Sequence, residues 1–305
     1  ARVVVNRHWS AFFGTGIVKT LDDFGMQGES PSHPELLDWL AVSFMDDGWS
    51  LKKLHRRIVL SSTYRQSSSH ASTDPAAGVA EPGDSGGHLP SSRLLARFPR
   101  TRLEAEIIRD SILQSAGLLS LKAGGPPVRP PQPGGVTESA YGSPKWNPSD
   151  GEDRYRRSVY TYQKRTAPFA MFATFDAPSG EACVARRDVS NTALQALTLL
   201  NDEMFLEAAR ALGTALTATG DGDLDRIRRV FDQVLTRQPS NIERSRLLAF
   251  VESQRARLKV EQAAARKSAT SPAEKSHADD NAVELAVWTS VARALFSLDE
   301  TLTKN

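Results

Sequence analysis

Apolar residues in this chain recur at three- and four-residue spacing almost from end to end, which restricts it to helix packed on helix. RVVVNRHWSAFF runs into Gly14, a natural stop. Leu37, Leu40 and Phe44 share the next face, which ends at Gly48, and Leu51, Leu54 and Ile58 follow Ser50. Ile107, Ile108 and Ile112 form a further inward face closed near Gly117. Asn201 is the expected N-cap before Phe205, Ala209 and Leu212. Leu224, Ile227, Phe231 and Val234 come next, and Trp288, Val291, Leu295 and Leu298 make the last amphipathic face. Ser32/Glu35, Thr101/Glu104 and Ser240/Glu243 have capping-box spacing, in which hydroxyl and carboxylate each satisfy a free backbone N–H.

One stretch departs from the helical period. RSVYTYQK, at 157–164, has the β-branched and aromatic content of a strand, with Ser158, Tyr160, Tyr162 and Lys164 on one face. The expected fold class is therefore mainly α: a multi-helix globular domain with one small β element and long irregular loops. The loops are expected at 67–92, 124–153 and 264–280, within a single domain over 1–305. Whether 67–92 divides the chain or decorates it stays open on pattern alone.

Composition excludes several classes. Of 305 residues, 40% are hydrophobic and 24% charged, enough for a sizeable core. A net charge of +2 does not indicate a generic nucleic-acid binder. No apolar run approaches the roughly 18 residues of a membrane span, so no membrane insertion is expected. The chain opens ARVVVNRHW, without Met or a signal segment, and reads as a fragment of a longer multidomain protein. The single Cys183 rules out an internal disulfide. It reads as a small buried apolar residue. C-x-x-C-H is absent, so no covalent c-type haem is attached here, and no cofactor is expected.

GDSGG, at 83–87, matches the string around the nucleophile of chymotrypsin-like proteases. Such a site needs two β-barrels to bring a His and a buried Asp to the Ser, and helices precede it here. It reads as loop composition. Asp23-Phe24-Gly25 lacks the companion motifs of a kinase, and Gly14-Thr15-Gly16 lacks the Lys of a P-loop. Asp22 and Asp23 read as acids that hold their loop by bonding backbone amides. His33 reads as structural, and no metal motif is present.

The densest polar chemistry lies at 154–187. RYRRSVYTYQKR carries five basic residues and no acid, with three tyrosines interleaved. FATFDAPSGEACVARR then adds Asp176, Glu181, Arg186 and Arg187. Aromatic and cationic groups together suit stacking on sugars or holding anions. The competing reading is an internal ion-pair network with Asp22, Asp23, Asp38, Asp176 and Glu181. On either reading the segment is expected to converge with Asp22 or Asp23.

NRHWSAFFGTGIVKTLDDFGMQGESPSHPELLDWLA, GWSLKKLHRRIVLSSTYRQS and RSVYTYQKRTAPFAMFATFDAPSGEACVARRDVSNTALQALTLLND together resemble the planctomycete surface domain known as domain of unknown function 1553. The resemblance extends to the closing ARALFSLDETLTKN. Asp188 and Ala193 stand where the family pattern has Pro. The resemblance implies a C-terminal position in a large exported protein, downstream of a cytochrome-c-like domain, and hence an extracytoplasmic location, in the periplasm or at the cell surface. It implies no established activity.

Three function classes follow. The first is binding or processing of an extracellular carbohydrate, an anionic one included. Asp176 and Glu181 are then the candidate catalytic carboxylates. Asp22, Asp23, His33, Tyr160, Tyr162, Lys164, Arg165, Arg186 and Arg187 are the candidate binding residues. The second is a docking module that supports the upstream domains of a haem-containing parent protein. The third is a redox-partner surface for the cytochrome-c-like domain.

Overall fold

Helix α1 (Arg2–Phe13) buries Val5, Trp9 and Phe13 and stops at Gly14, whose φ of +73° is open to glycine at little cost. Helix α2 spans Pro34–Asp46 and α3 spans Leu51–Val59. The computed structural model describes residues 1–68, 94–135, 145–164, 167–261 and 279–304, with only the backbone of 279 and 280. Its contacts divide the chain into two compact units. GDSGG lies outside the described residues.

The first unit comprises residues 1–102 and 303–305. Its core joins Val5, Trp9 and Phe13 to Leu37, Leu40, Phe44, Leu54, Ile58 and Phe98. Fully buried Asn6 acts as a peptide mimic: its amide donates to the Val18 carbonyl at 2.8 Å and accepts from the Val18 N–H at 2.8 Å. Strand β1 (Thr101–Arg102) pairs antiparallel with β2 (Thr303–Lys304).

Two expected capping boxes do not form. The N-cap of α2 is His33, and Ser32 Oγ instead donates to the Ile17 carbonyl at 3.2 Å. Pro34 is the first helical residue, so Glu35 falls at the second position and not the third that a box requires. Thr101 belongs to β1, and the following helix starts from Glu104 without a side-chain cap.

The second unit spans 103–302. It contains α4 (Ala105–Ser115), α5 (Ala170–Thr174), α6 (Ala193–Asn201), α7 (Glu203–Thr217), α8 (Asp223–Leu235), α9 (Asn241–Val260), α10 (Asp279–Phe296) and α11 (Asp299–Leu302). The long helices α7 and α10 lie together. Gly213 permits the approach, since a β-carbon there would stand 2.9 Å from the Thr289 backbone nitrogen. Phe205, Leu212, Ile227, Phe231, Trp288, Val291 and Leu295 fill the core. The Ser240/Glu243 box is complete, and an unanticipated one forms at Thr192/Gln195. Asp202, not Asn201, caps α7, accepting from the Met204 N–H at 3.0 Å. Leu51, Leu224 and Leu298 stay exposed at helix ends, past the reach of the core.

The chain is mainly α, but 157–164 is not its β element. Ser158–Tyr160 forms a 3₁₀ turn, and pairing there is limited to single bridges. The opposing segment explains this. Val128 exchanges hydrogen bonds with Tyr160 and Tyr162 at 2.8 and 2.7 Å, but Pro126, Pro127, Pro130 and Pro131 beside it lack the N–H that would extend a ladder. The one-face arrangement of Ser158, Tyr160, Tyr162 and Lys164 is lost with the strand. Among the described residues no helix is long and apolar enough to cross a membrane.

Candidate functional site

The polar centre of the second unit is organised by two buried arginines. Arg109, on α4, is 0% exposed. Its guanidinium donates to the carbonyls of Arg156 (2.8 Å) and Arg154 (3.1 Å) and to Ser158 Oγ (3.3 Å). Burial lowers its pKa to about 10, against the opposing pull of Asp110 and Asp202, so it keeps its charge at neutral pH. Arg156, 1% exposed, turns the other way. It donates to the carbonyls of Pro126 (3.1 Å), Lys122 (3.2 Å) and Gly124, and lies 3.8 Å over the Tyr160 ring. The Tyr160 hydroxyl accepts from the Gly124 N–H at 2.9 Å. A Gly/Pro loop rich in unmatched carbonyls is thus fixed by a cation.

A pocket of about 390 Å³ opens beside this frame. Glu106, Ile107 and Asp110 line it from α4, Arg157, Ser158, Thr161, Tyr162 and Gln163 from the 157–163 segment, and Phe169 and Phe172 from the start of α5. Ile107, expected inward, is exposed and forms part of this lining. The aromatic wall is built from rings in contact. Phe169 meets Phe172 edge-on at 5.1 Å and stacks on Trp146 at 5.9 Å, and Trp146 Nε1 donates to the Pro130 carbonyl at 2.7 Å. Gly180 has φ +79°, and a β-carbon there would collide with the Gln163 amide.

The carboxylates of the pocket are already engaged. Glu106 accepts from Arg187 at 2.6 Å. Burial works against the Arg187 charge, but its hydrogen bond to Glu106 and the carboxylates of Glu106 and Glu104 outweigh that and raise its pKa. Asp110 accepts from the Ser158 N–H at 2.8 Å and lies 3.7 Å from Arg109. Arg157 differs. Its side chain is 55% exposed, and its ion pair among the described residues is a 4.0 Å approach to Asp110.

The sequence-derived candidates divide. Tyr162 lines the pocket, and Arg187 supports it through Glu106. Tyr160 faces Arg156, Lys164 is half-buried, and Arg186 and Glu181 are exposed. Arg165 lies outside the described residues. The Asp176 carboxylate accepts from the Ser190 N–H and hydroxyl, both at 2.8 Å, and its φ of +62° turns the chain out of α5. Asp22, Asp23 and His33 belong to the first unit, where Asp23 accepts from the Gly25 N–H at 2.7 Å. Among the described residues, Arg154, Arg157 and Arg187 find carboxylates in the second unit, at Glu203 and Glu207, at Asp110 and at Glu106, and form no ion pair with Asp22 or Asp23. Cys183, expected to be buried, is exposed, because 178–189 leaves the core. Arg109, Glu106 and Asp110 were not anticipated, and Arg156 was noted only as one of the five basic residues of 154–165. Glu106 and Asp110 did carry a signal, being one helical turn apart.

No curated protein and no solved structure matches this chain. The family model described as PSD1, protein of unknown function (DUF1553), matches residues 1–251 and stops short of the closing segment. The chain belongs to the DUF1553 family.

Proposed function

We propose that the second unit is an extracytoplasmic saccharide-binding module whose pocket takes a sugar bearing a carboxylate or sulfate. The observation that carries this is Arg157, a guanidinium at an aromatic-walled pocket whose carboxylate contact among the described residues is a single 4.0 Å approach. Arg109, Arg157 and Arg187 face three carboxylates (Asp110, Glu106 and Glu104), and of the three arginines Arg157 has the longest and most exposed contact. A planar guanidinium matches a carboxylate or sulfate with two parallel hydrogen bonds. Phe172 offers an apolar face to the C–H side of a sugar ring, Tyr162 lines the pocket with the Arg129 guanidinium 4.7 Å over its ring, and Glu106, Asp110 and Gln163 supply hydroxyl-binding oxygens. The volume falls at the lower end of the ~300–1,000 Å³ usual for small-ligand pockets, which suits one or two sugar units. The exported setting rests on the resemblance to planctomycete surface proteins that carry a cytochrome-c-like domain upstream.

The test is calorimetric titration of the chain with uronate-containing, sulfated and neutral oligosaccharides. Acidic sugars are expected to bind, and Phe172→Ala to weaken binding about tenfold, or ~1.4 kcal/mol. Equal binding of neutral and acidic sugars, or none of either, contradicts the reading.

A further inference from the structure

Helix α2 buries Leu37, Leu40, Ala41 and Phe44, yet its opposite face is not a polar one. Trp39, Val42 and Met45 are exposed along it, and Trp49 continues the stripe just beyond its end. Trp39 and Trp49 are each 55% exposed. Trp49 also adopts φ +59°, a strained conformation for a bulky residue, with its ring edge-on to Phe44 at 5.2 Å. Exposed tryptophan and methionine in one stripe is the composition of a protein interface core.

Charges of both signs flank the stripe. Helix α2 contains Glu35, Asp38 and Asp46 and no basic residue. The adjacent α3 contains Lys52, Lys53, Arg56 and Arg57 and no acid. Some of these charges are matched inside the unit. Asp47 takes Lys53 at 3.4 Å and Arg57 at 2.8 Å, and Asp38 takes Arg2 at 2.6 Å. Glu35 and Asp46 on α2, and Lys52 and Arg56 on α3, form no ion pair with a described residue. Two unmatched acids beside an apolar stripe therefore neighbour two unmatched bases on the next helix.

We propose that this face pairs two copies of the chain about a two-fold axis, the acidic, tryptophan-bearing α2 of each lying on the basic α3 of the other. A two-fold makes every such contact twice, so one surface satisfies both sets of charges and covers both stripes. The exposed Leu60, just after α3, supplies an apolar contact on the basic side.

The test is light scattering with size-exclusion chromatography and sedimentation, over about a hundredfold range of concentration. The expected species has twice the 33.3 kDa chain mass, dissociates on dilution and weakens with added salt. Trp39→Glu should give a monomer with unchanged circular dichroism. So should Lys52→Glu with Arg56→Glu, and separately Glu35→Lys with Asp46→Lys. Mixing these two charge-reversed proteins should restore a dimer, since each then complements the other. A wild-type monomer at every concentration, a dimer that survives Trp39→Glu, or a mixture that stays monomeric would each overturn the proposal.

Discussion

Replacing Arg109 with Met keeps most of its apolar stem and removes only the guanidinium. Three acceptors lose their donor: the carbonyls of Arg154 and Arg156 and Ser158 Oγ. An orphaned buried acceptor costs about 1–3 kcal/mol. Water reaching the part-buried Arg154 carbonyl recovers some of this, so the expected loss is about 3–5 kcal/mol, the range for breaking a buried charged cluster. That is a large share of the ~5–15 kcal/mol that holds a typical domain. The assay is urea denaturation followed by far-ultraviolet circular dichroism, fitted with separate transitions for the two units. Only the transition of the second unit should move. Arg109→Lys should recover less than half of the loss, because an ammonium cannot fork between carbonyls. A change below about 1 kcal/mol for Arg109→Met would show that the 154–158 segment holds its place without this residue.

Asp202 gives a pH dependence of the less common sign. Burial raises its pKa from 3.8 to about 6, partly opposed by its hydrogen bond from Met204. The folded state therefore takes up a proton between those values. This contribution is complete below about pH 4 and disappears as pH rises through about 6, a span of about 3 kcal/mol. Asp202→Asn keeps the cap acceptor and should flatten the stability profile between about pH 4 and pH 7, measured by urea midpoints; an unchanged slope would contradict the assignment. Asp176→Asn tolerates φ +62° but weakens the bonds from Ser190, so a loss of about 1–2 kcal/mol is expected with saccharide binding unchanged. Loss of binding at unchanged stability would instead make Asp176 a ligand contact.

The helices were legible because each buries one apolar face, and Ile227, Phe231, Trp288 and Val291 fall where their spacing puts them. Ser240/Glu243 was legible because nothing competes with it. Ser32/Glu35 was not, because Pro34 shifts the helix start by one residue. RSVYTYQK has strand composition, but a strand also needs a partner with N–H groups, and a proline-rich one cannot supply them. The site was the least legible part. Arg109 and Arg156 pair with main-chain carbonyls, so no complementary acid in the sequence marks them. The available sign was the run Gly124-Gly125-Pro126-Pro127, whose carbonyls have no regular partner and call for a donor from elsewhere.

On the proposed reading, Arg157 reads a negative charge on a bound sugar. This is tested most directly by a two-by-two comparison: wild type and Arg157→Gln, each titrated with a uronate oligosaccharide and with its carboxyl-reduced, neutral counterpart. Wild type should prefer the acidic sugar by about tenfold to a hundredfold, and Arg157→Gln should bind both alike, a coupling of about 1.4–2.7 kcal/mol that shrinks with added salt. Equal preference in the two proteins would show that Arg157 does not contact the ligand and would contradict the assignment of the pocket.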